Sequence, residues 1–154
     1  MLISVEEILK KIVSGPRIEG VSFLGGEPFA QASPLAELAR KLRKMDFSIV
    51  TFTGYTIEKL QATGDTATLD LLHNTDLLID GPFIEEQRST SRPWVGSANQ
   101  RYHFLTDRYK NIEKSLCEIP NRLEIRVFPD GRIFVNGLAT TETLQSLLTK
   151  KQNS

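Results

Sequence analysis

The sequence predicts an α/β fold with a parallel sheet, and three observations carry that expectation. Short apolar runs rich in β-branched and aromatic residues alternate with amphipathic stretches in the order strand, helix, strand, helix, strand. Each apolar run stops at a turn signal, Gly25-Gly26, Thr53-Gly54 or Gly81-Pro82. The length, 154 residues, suits one domain able to bury roughly two-thirds of its unfolded surface.

The first stretch, Met1 to Gly15, reads as a helix with Val5, Ile8, Leu9 and Ile12 along one stripe. Ser4 and Glu7 have capping-box spacing, and Gly15-Pro16 is a stop. Val21, Phe23 and Leu24 then form a short strand expected to be covered on both faces, leading into Gly25, Gly26, Glu27 and Pro28. Two glycines leave main-chain groups open to a ligand, and the acid stands at the carboxyl end of a strand, where parallel sheets bind ligands. The alternative is a plain strand-to-loop turn with a solvated glutamate. As an exposed rim acid that serves a ligand, Glu27 is expected to matter for binding, and its loss to leave folding nearly intact.

Ser33-Pro34 is expected to open a second helix as N-cap and first-turn proline, with Leu35, Leu38, Ala39 and Leu42 buried. Its cluster Arg40, Lys41, Arg43 and Lys44 reads as solvated surface favoured by the helix dipole. Phe47 to Phe52 is a second strand closed by Thr53, Gly54 and Tyr55, and Thr56 can cap the next helix. That helix begins at Ile57–Leu60, is interrupted near Gly64-Asp65, and resumes through Leu69, Leu71 and Leu72. Leu77–Asp80 is a third strand, which brings Asp80 to the same rim as Glu27, Thr53 and Gly54.

Glu85 to Asn99 is long and polar and contains the one tryptophan, Trp94. It is read either as a binding or lid segment or as a surface loop pinned by the indole. Gln100–Leu105 can form a short strand and Asp107–Leu116 a helix. Leu123, Ile125 and Val127 alternate before Pro129-Asp-Gly131 and a return strand Arg132–Val135, a hairpin. A last helix begins at Thr140 or Thr141, and Lys150–Ser154 frays.

Nineteen basic and nineteen acidic residues balance, which argues against nucleic acid or an anionic membrane as partner. No apolar run approaches a membrane span and no secretory pattern opens the chain, so a cytoplasmic location is expected. Cys117 is the single cysteine, leaving no internal disulfide and no multi-cysteine metal site. His73 and His103 have no ligand spacing around them and read as packed or surface residues, so no metal ligand is assigned.

Gly25-Gly-Glu-Pro28, Phe52-Thr-Gly-Tyr-Thr56, Leu78-Ile-Asp-Gly-Pro-Phe83 and Trp94-Val-Gly-Ser-Ala-Asn-Gln100, in this order, resemble the radical S-adenosylmethionine activating enzymes. The activator of the anaerobic (class III) ribonucleotide reductase is the nearest likeness. The resemblance implies a partial parallel β/α barrel lacking its first strand, followed by the hairpin and helix. It implies two cofactors, S-adenosylmethionine and a [4Fe–4S] cluster on a Cys-x3-Cys-x2-Cys loop. The oxidoreductase activity it implies is reductive cleavage of S-adenosylmethionine to place a glycyl radical on the partner, the anaerobic ribonucleotide reductase. Gly25, Gly26 and Glu27 match the motif that contacts the methionine amino group. Pro28, Thr53, Gly54 and Asp80 line the same rim by position. Trp94, Gly96, Ser97, Asn99 and Gln100 form a partner or active-site loop, with Val95 and Ala98 departing from the usual arginine and serine.

The cysteine loop is not among these residues, so the activity is not expected of this chain alone. Two readings follow: an activating enzyme whose cysteine segment lies outside the sequence, or a cluster-less relative acting as a binding or interaction module. An open edge on the first strand is expected to promote self-association.

Overall fold

A computed structural model of the chain describes residues 3–89, 91–118, 124–127 and 132–136. In chain order these form α1 (Val5–Val13), β1 (Gly20–Phe23), α2 (Ala32–Arg43), β2 (Ser48–Phe52), α3 (Ile57–Ala62), α4 (Thr66–His73) and β3 (Leu77–Asp80). Then come β4 (Arg101–Phe104), α5 (Lys110–Glu113), β5 (Glu124–Val127) and β6 (Ile133–Asn136). The expected helix from Thr140 onward lies outside the described residues.

The first four strands make one sheet in the order β1-β2-β3-β4. The first three run parallel, as the alternation of strands and helices predicts, and β4 returns antiparallel to β3 with Asp80 opposite Arg101. The sheet is therefore mixed. The separate hairpin is present, Ile125 pairing with Val135.

Side chains alternate across the strands and divide the interior in two. Phe23, Ile49 and Leu78 face a layer built by α1 to α4, whose Leu38, Ala39, Leu42, Leu60, Leu71 and Leu72 complete the larger core. Leu77 and Ile79, with Val50 and Phe52 beside them, face the opposite way and meet Val95, Tyr102, Phe104 and Tyr109. Helices thus cover one face, and loop side chains partly cover the other.

The capping box at the start of α1 is complete: Ser4 Oγ accepts from the Glu7 amide and the Glu7 carboxylate accepts from the Ser4 amide. Thr56 caps α3, and Asp65 caps α4 where the helix was expected to break. Ser33 is not a cap. A single 3₁₀ turn over Pro28–Gln31 runs into α2, so the helix begins at Ala32 and Ser33-Pro34 falls within its first turn. The basic residues of α2 do more than face solvent: Arg40 pairs with Asp70, Lys41 with Glu6 and Glu37, and Arg43 donates to the His73 carbonyl. Asp107–Leu116 is a 3₁₀ turn followed by the four-residue α5 rather than one helix.

Asp76 anchors the amino-terminal end of the sheet. It is 1% exposed, and its carboxylate accepts from the Ile49 amide at 2.8 Å and from Thr106 Oγ1 at 2.6 Å. Removing an acceptor that a buried amide and a part-buried hydroxyl share is costly, so Asp76→Ala should lower unfolding stability by about 3 kcal/mol, measured by urea denaturation.

Candidate functional site at the carboxyl rim of the sheet

The loops that follow β1, β2 and β3 meet at one rim. Gly25 and Gly26 leave β1 with φ of 86° and 55°, and nothing lies within 4 Å of where a Cβ on either would stand. The left-handed conformation is cheap only for glycine, and the space left beside it exposes the main chain.

Glu27 fixes that turn. Its Oε1 accepts from the Phe29 amide at 3.0 Å and from Thr53 Oγ1 at 2.9 Å, while Oε2 accepts from the Gly54 amide at 3.0 Å. The first bond caps the 3₁₀ turn, in which Pro28 is buried; the other two join the exit of β1 to the exit of β2. Glu27 is half-buried. It is thus neither the solvated acid of the plain-turn alternative nor the exposed rim acid whose loss was expected to leave folding nearly intact: three donors depend on it, so its removal touches folding. A carboxylate has about four acceptor positions, so Oε2 keeps one beside exposed Gly54. Leu24 points outward at 65% exposure, because β1 ends at Phe23 and the turn carries the next side chain into solvent. With Ser22 exposed as well, β1 is not covered on both faces.

Thr53 accepts from the Tyr55 amide, its own amide donates to the Ile79 carbonyl, and the Gly81 amide donates to the Tyr55 carbonyl. The exits of β2 and β3 are thereby tied together. A depression of about 230 Å³ lies between them, lined by Gly25, Gly26, Thr53, Gly54, Gly81 and Phe83 among others.

Asp80 stands at the end of β3 but turns inward. Fully buried, it accepts from the Ile57 amide at 2.7 Å and from Arg101 at 3.0 and 2.6 Å, and Arg101 also grips Glu58 at 2.9 and 2.8 Å. The carboxylate clamps α3 to β3 and β4, and its side chain is not part of the rim depression. His103 Nε2 lies 3.0 Å from Asp80 Oδ2 yet is not aligned for a hydrogen bond; among the described residues it is the one buried side-chain polar atom without such a partner. Burial pushes the Asp80 carboxyl up, but the Arg101 guanidinium, the Ile57 amide and the charge of His103 together hold it below its ordinary 3.8. Arg101 holds the Glu58 carboxyl down from 4.5 to about 2.

The 92–100 loop spends its polar groups on itself and on residues 81–84. Gln100 Oε1 accepts from the amides of Gly96 and Ser97 at 2.7 and 3.2 Å, and its Nε2 donates to the Gly81 carbonyl at 3.2 Å. Ser97 Oγ donates to Asn99 Oδ1, and Asn99 Nδ2 donates to the Pro82 carbonyl, both at 2.7 Å. Arg92 donates to the carbonyls of Ala98 and Gln100 at 2.9 Å and lies over the Tyr102 ring. Val95 is fully buried. Trp94 is different: it is 48% exposed and has φ of 64°. Trp94 lines a cleft of about 530 Å³ on the face of the sheet opposite α1 to α4, with Val50, Phe52, Leu77 and Tyr109.

Sequence reasoning brought together Gly25, Gly26, Glu27, Thr53 and Gly54, and the structure does the same. It missed Arg101, whose partnership with Asp80 depends on the antiparallel register of β4, and Tyr109, which reaches the cleft from a distant turn. Among the described residues no group of three His, Cys, Asp or Glu side chains is placed to hold a metal ion.

Residues 3–103 match the family model described as a 4Fe-4S single cluster domain. The chain belongs to this family. Anaerobic ribonucleoside-triphosphate reductase-activating proteins are among its relatives. That of Vibrio cholerae serotype O1 is 37% identical over 91 residues, 56% of each chain. That of Haemophilus influenzae is 34% identical over 89 residues, 55% of each, and that of Escherichia coli K12 is 29% identical over 91, again 56% of each. The matches span just over half the length of these relatives. No solved structure matches at the same stringency. The likeness to activating enzymes drawn from the four motifs is borne out by both findings.

The cluster in the family's description does not fit the residues present. A [4Fe–4S] centre takes cysteine thiolates, the matched residues contain no cysteine, and Cys117 alone is one thiolate.

Glu27→Ala should cost about 2 kcal/mol of stability in denaturant unfolding, because three donors lose one acceptor. Asp80 and Glu58 both have folded values below their ordinary ones. Their stabilisation is therefore complete above about pH 4.5 and is lost as pH falls toward about 2, and a pH series of thermal melts should show it. Arg101→Gln should reduce the slope in that window.

Proposed function

We propose that this chain supplies the S-adenosylmethionine-binding part of an activating protein for anaerobic ribonucleotide reductase. The observation that carries this reading is the Gly25–Gly26 turn, left-handed, open to solvent and held by Glu27. An amino-acid ligand offers an ammonium and a carboxylate. The bared backbone can meet both, and Glu27 Oε2 retains an acceptor position for the ammonium. Thr53 and Gly54 contribute by orienting Glu27. Asp80 contributes by keeping α3 and β4 in place around the rim.

The curated relatives are named for activating the anaerobic reductase, which supports that enzyme as the partner and a glycyl radical on it as the product of the whole protein. The partial barrel belongs to the same proposal. Its support is the placement of α1 to α4 on one face of β1–β3, with the other face left for a ligand and, among the described residues, β1 paired on one side only. Electron transfer to the sulfonium is not a property of these residues, which lack the thiolates for a cluster. A second reading is a cluster-free relative that binds S-adenosylmethionine or the reductase through the same rim, without radical chemistry and with no need of thiolates. No helix among the described residues is long and apolar enough to cross a membrane.

Calorimetric titration with S-adenosylmethionine tests the proposal. Binding by the wild-type chain should weaken at least about tenfold in a Gly25→Ala, Gly26→Ala double variant, since both side chains force strained backbone into the cradle. No binding by the wild type would overturn the assignment. Binding equal in the two proteins would remove the turn from it.

A further inference from the structure

The tryptophan loop holds a contradiction that its own packing does not resolve. A left-handed backbone at a bulky residue is strained, and glycine or asparagine would adopt it more cheaply. Strain of this kind persists where a site requires it. Trp94 adopts it with φ of 64° while leaving its side chain 48% exposed, so burial offsets the cost only in part. The neighbours Gly96, Ser97, Asn99 and Gln100 lock the loop through bonds to one another and to residues 81–84. That lock fixes where the indole stands.

It stands at a cleft. The volume, about 530 Å³, lies within the range of small-molecule sites, and Val50, Phe52, Leu77 and Tyr109 give the wall an aromatic and aliphatic part, with Glu19, Ser22 and Ser48 as polar lining. Phe52 also lines the rim depression that contains Gly25 and Gly26. Phe52 therefore belongs to the lining of both hollows, which sets them side by side.

We infer that Trp94 stacks on the purine of an adenosyl ligand whose amino-acid end rests on the Gly25–Gly26 turn. This rests on the reading of S-adenosylmethionine as the ligand and adds to it the residue that recognises the ring. An indole face suits a purine because offset stacking of two large π-systems gains contact area without a fixed hydrogen-bond pattern. Ser22 is the polar group in the wall nearest in chain order to the glycine turn, and it is available to the ribose or the ring edge.

Trp94 is the one tryptophan of the chain, so its fluorescence reports this position alone. S-adenosylmethionine and adenosine should each quench the emission, and methionine should leave it unchanged. By calorimetry, Trp94→Phe should keep the affinity for S-adenosylmethionine within about threefold, and Trp94→Asn should lower it by about tenfold, as expected for loss of one base–aromatic stack. Trp94→Asn also suits the left-handed backbone, so its thermal melting should be no lower than that of Trp94→Ala, which separates a ligand role from a packing role. If the wild type binds S-adenosylmethionine with unchanged emission, and Trp94→Asn binds as tightly, the stacking assignment is overturned and the glycine turn stands. If the wild type gives no heat with S-adenosylmethionine, the ligand reading fails first, and the stacking assignment with it.

Discussion

The carboxylate of Glu27, shared among the amides of Phe29 and Gly54 and the hydroxyl of Thr53, joins two strand exits that are 26 to 27 residues apart in sequence. A parallel strand ends with main-chain groups that its neighbours no longer pair, and a rim of such ends is stable only if something accepts or donates there. A side chain that is acceptor-only can serve several amides at once. The same device recurs at two other junctions. Asp80 takes the Ile57 amide where α3 begins, and Asp76 takes the Ile49 amide where β2 begins. Three acids thus do the work of joining loops to strands, and one of them faces the site.

The division of the sheet into two faces follows from this frame. On one side α1 to α4 bury aliphatic residues, and the cations of α2 reach acids or carbonyls on α1, α4 and within α2 itself. Exposed pairs of this kind contribute little each. What they add is a preference in how the helices lie. The other side carries Val50, Phe52, Leu77 and Ile79 under a loop rather than a helix. A loop locked by Arg92 and Gln100 can hold one aromatic side chain over a hollow, whereas a packed helix would fill the hollow. The cleft lies where the secondary structure stops covering the sheet.

Much of this was legible from residue order. Ser4 with Glu7, Thr56 and Asp65 mark helix starts through local hydrogen bonds, which depend on spacing alone. Apolar runs closed by glycine placed β1, β2 and β3, and the parallel order then brought Gly25, Gly26, Glu27, Thr53 and Gly54 to one rim. What the sequence left hidden was decided by tertiary contacts. Leu24 looked like strand because it is apolar, but the turn geometry throws it outward. Ser33 looked like a cap, but the 3₁₀ turn begun at Pro28 had already started the helix. Asp80 looked like a rim acid, and the register of β4 supplied the arginine that draws it inside. The φ of Trp94 has no sequence signal at all. The four ordered motifs, by contrast, pointed to the family that the match over residues 3–103 bears out.

Amide hydrogen exchange followed residue by residue tests the place of Glu27 most directly. The Gly54 amide belongs to an exposed residue and donates to Oε2. The account requires Gly54 and Phe29 to exchange slowly in the wild-type chain, and to lose that protection in Glu27→Ala under conditions where the amides of β2 and β3 keep theirs. Rapid exchange at Gly54 and Phe29 in the wild type, or protection unchanged by the substitution, would contradict it.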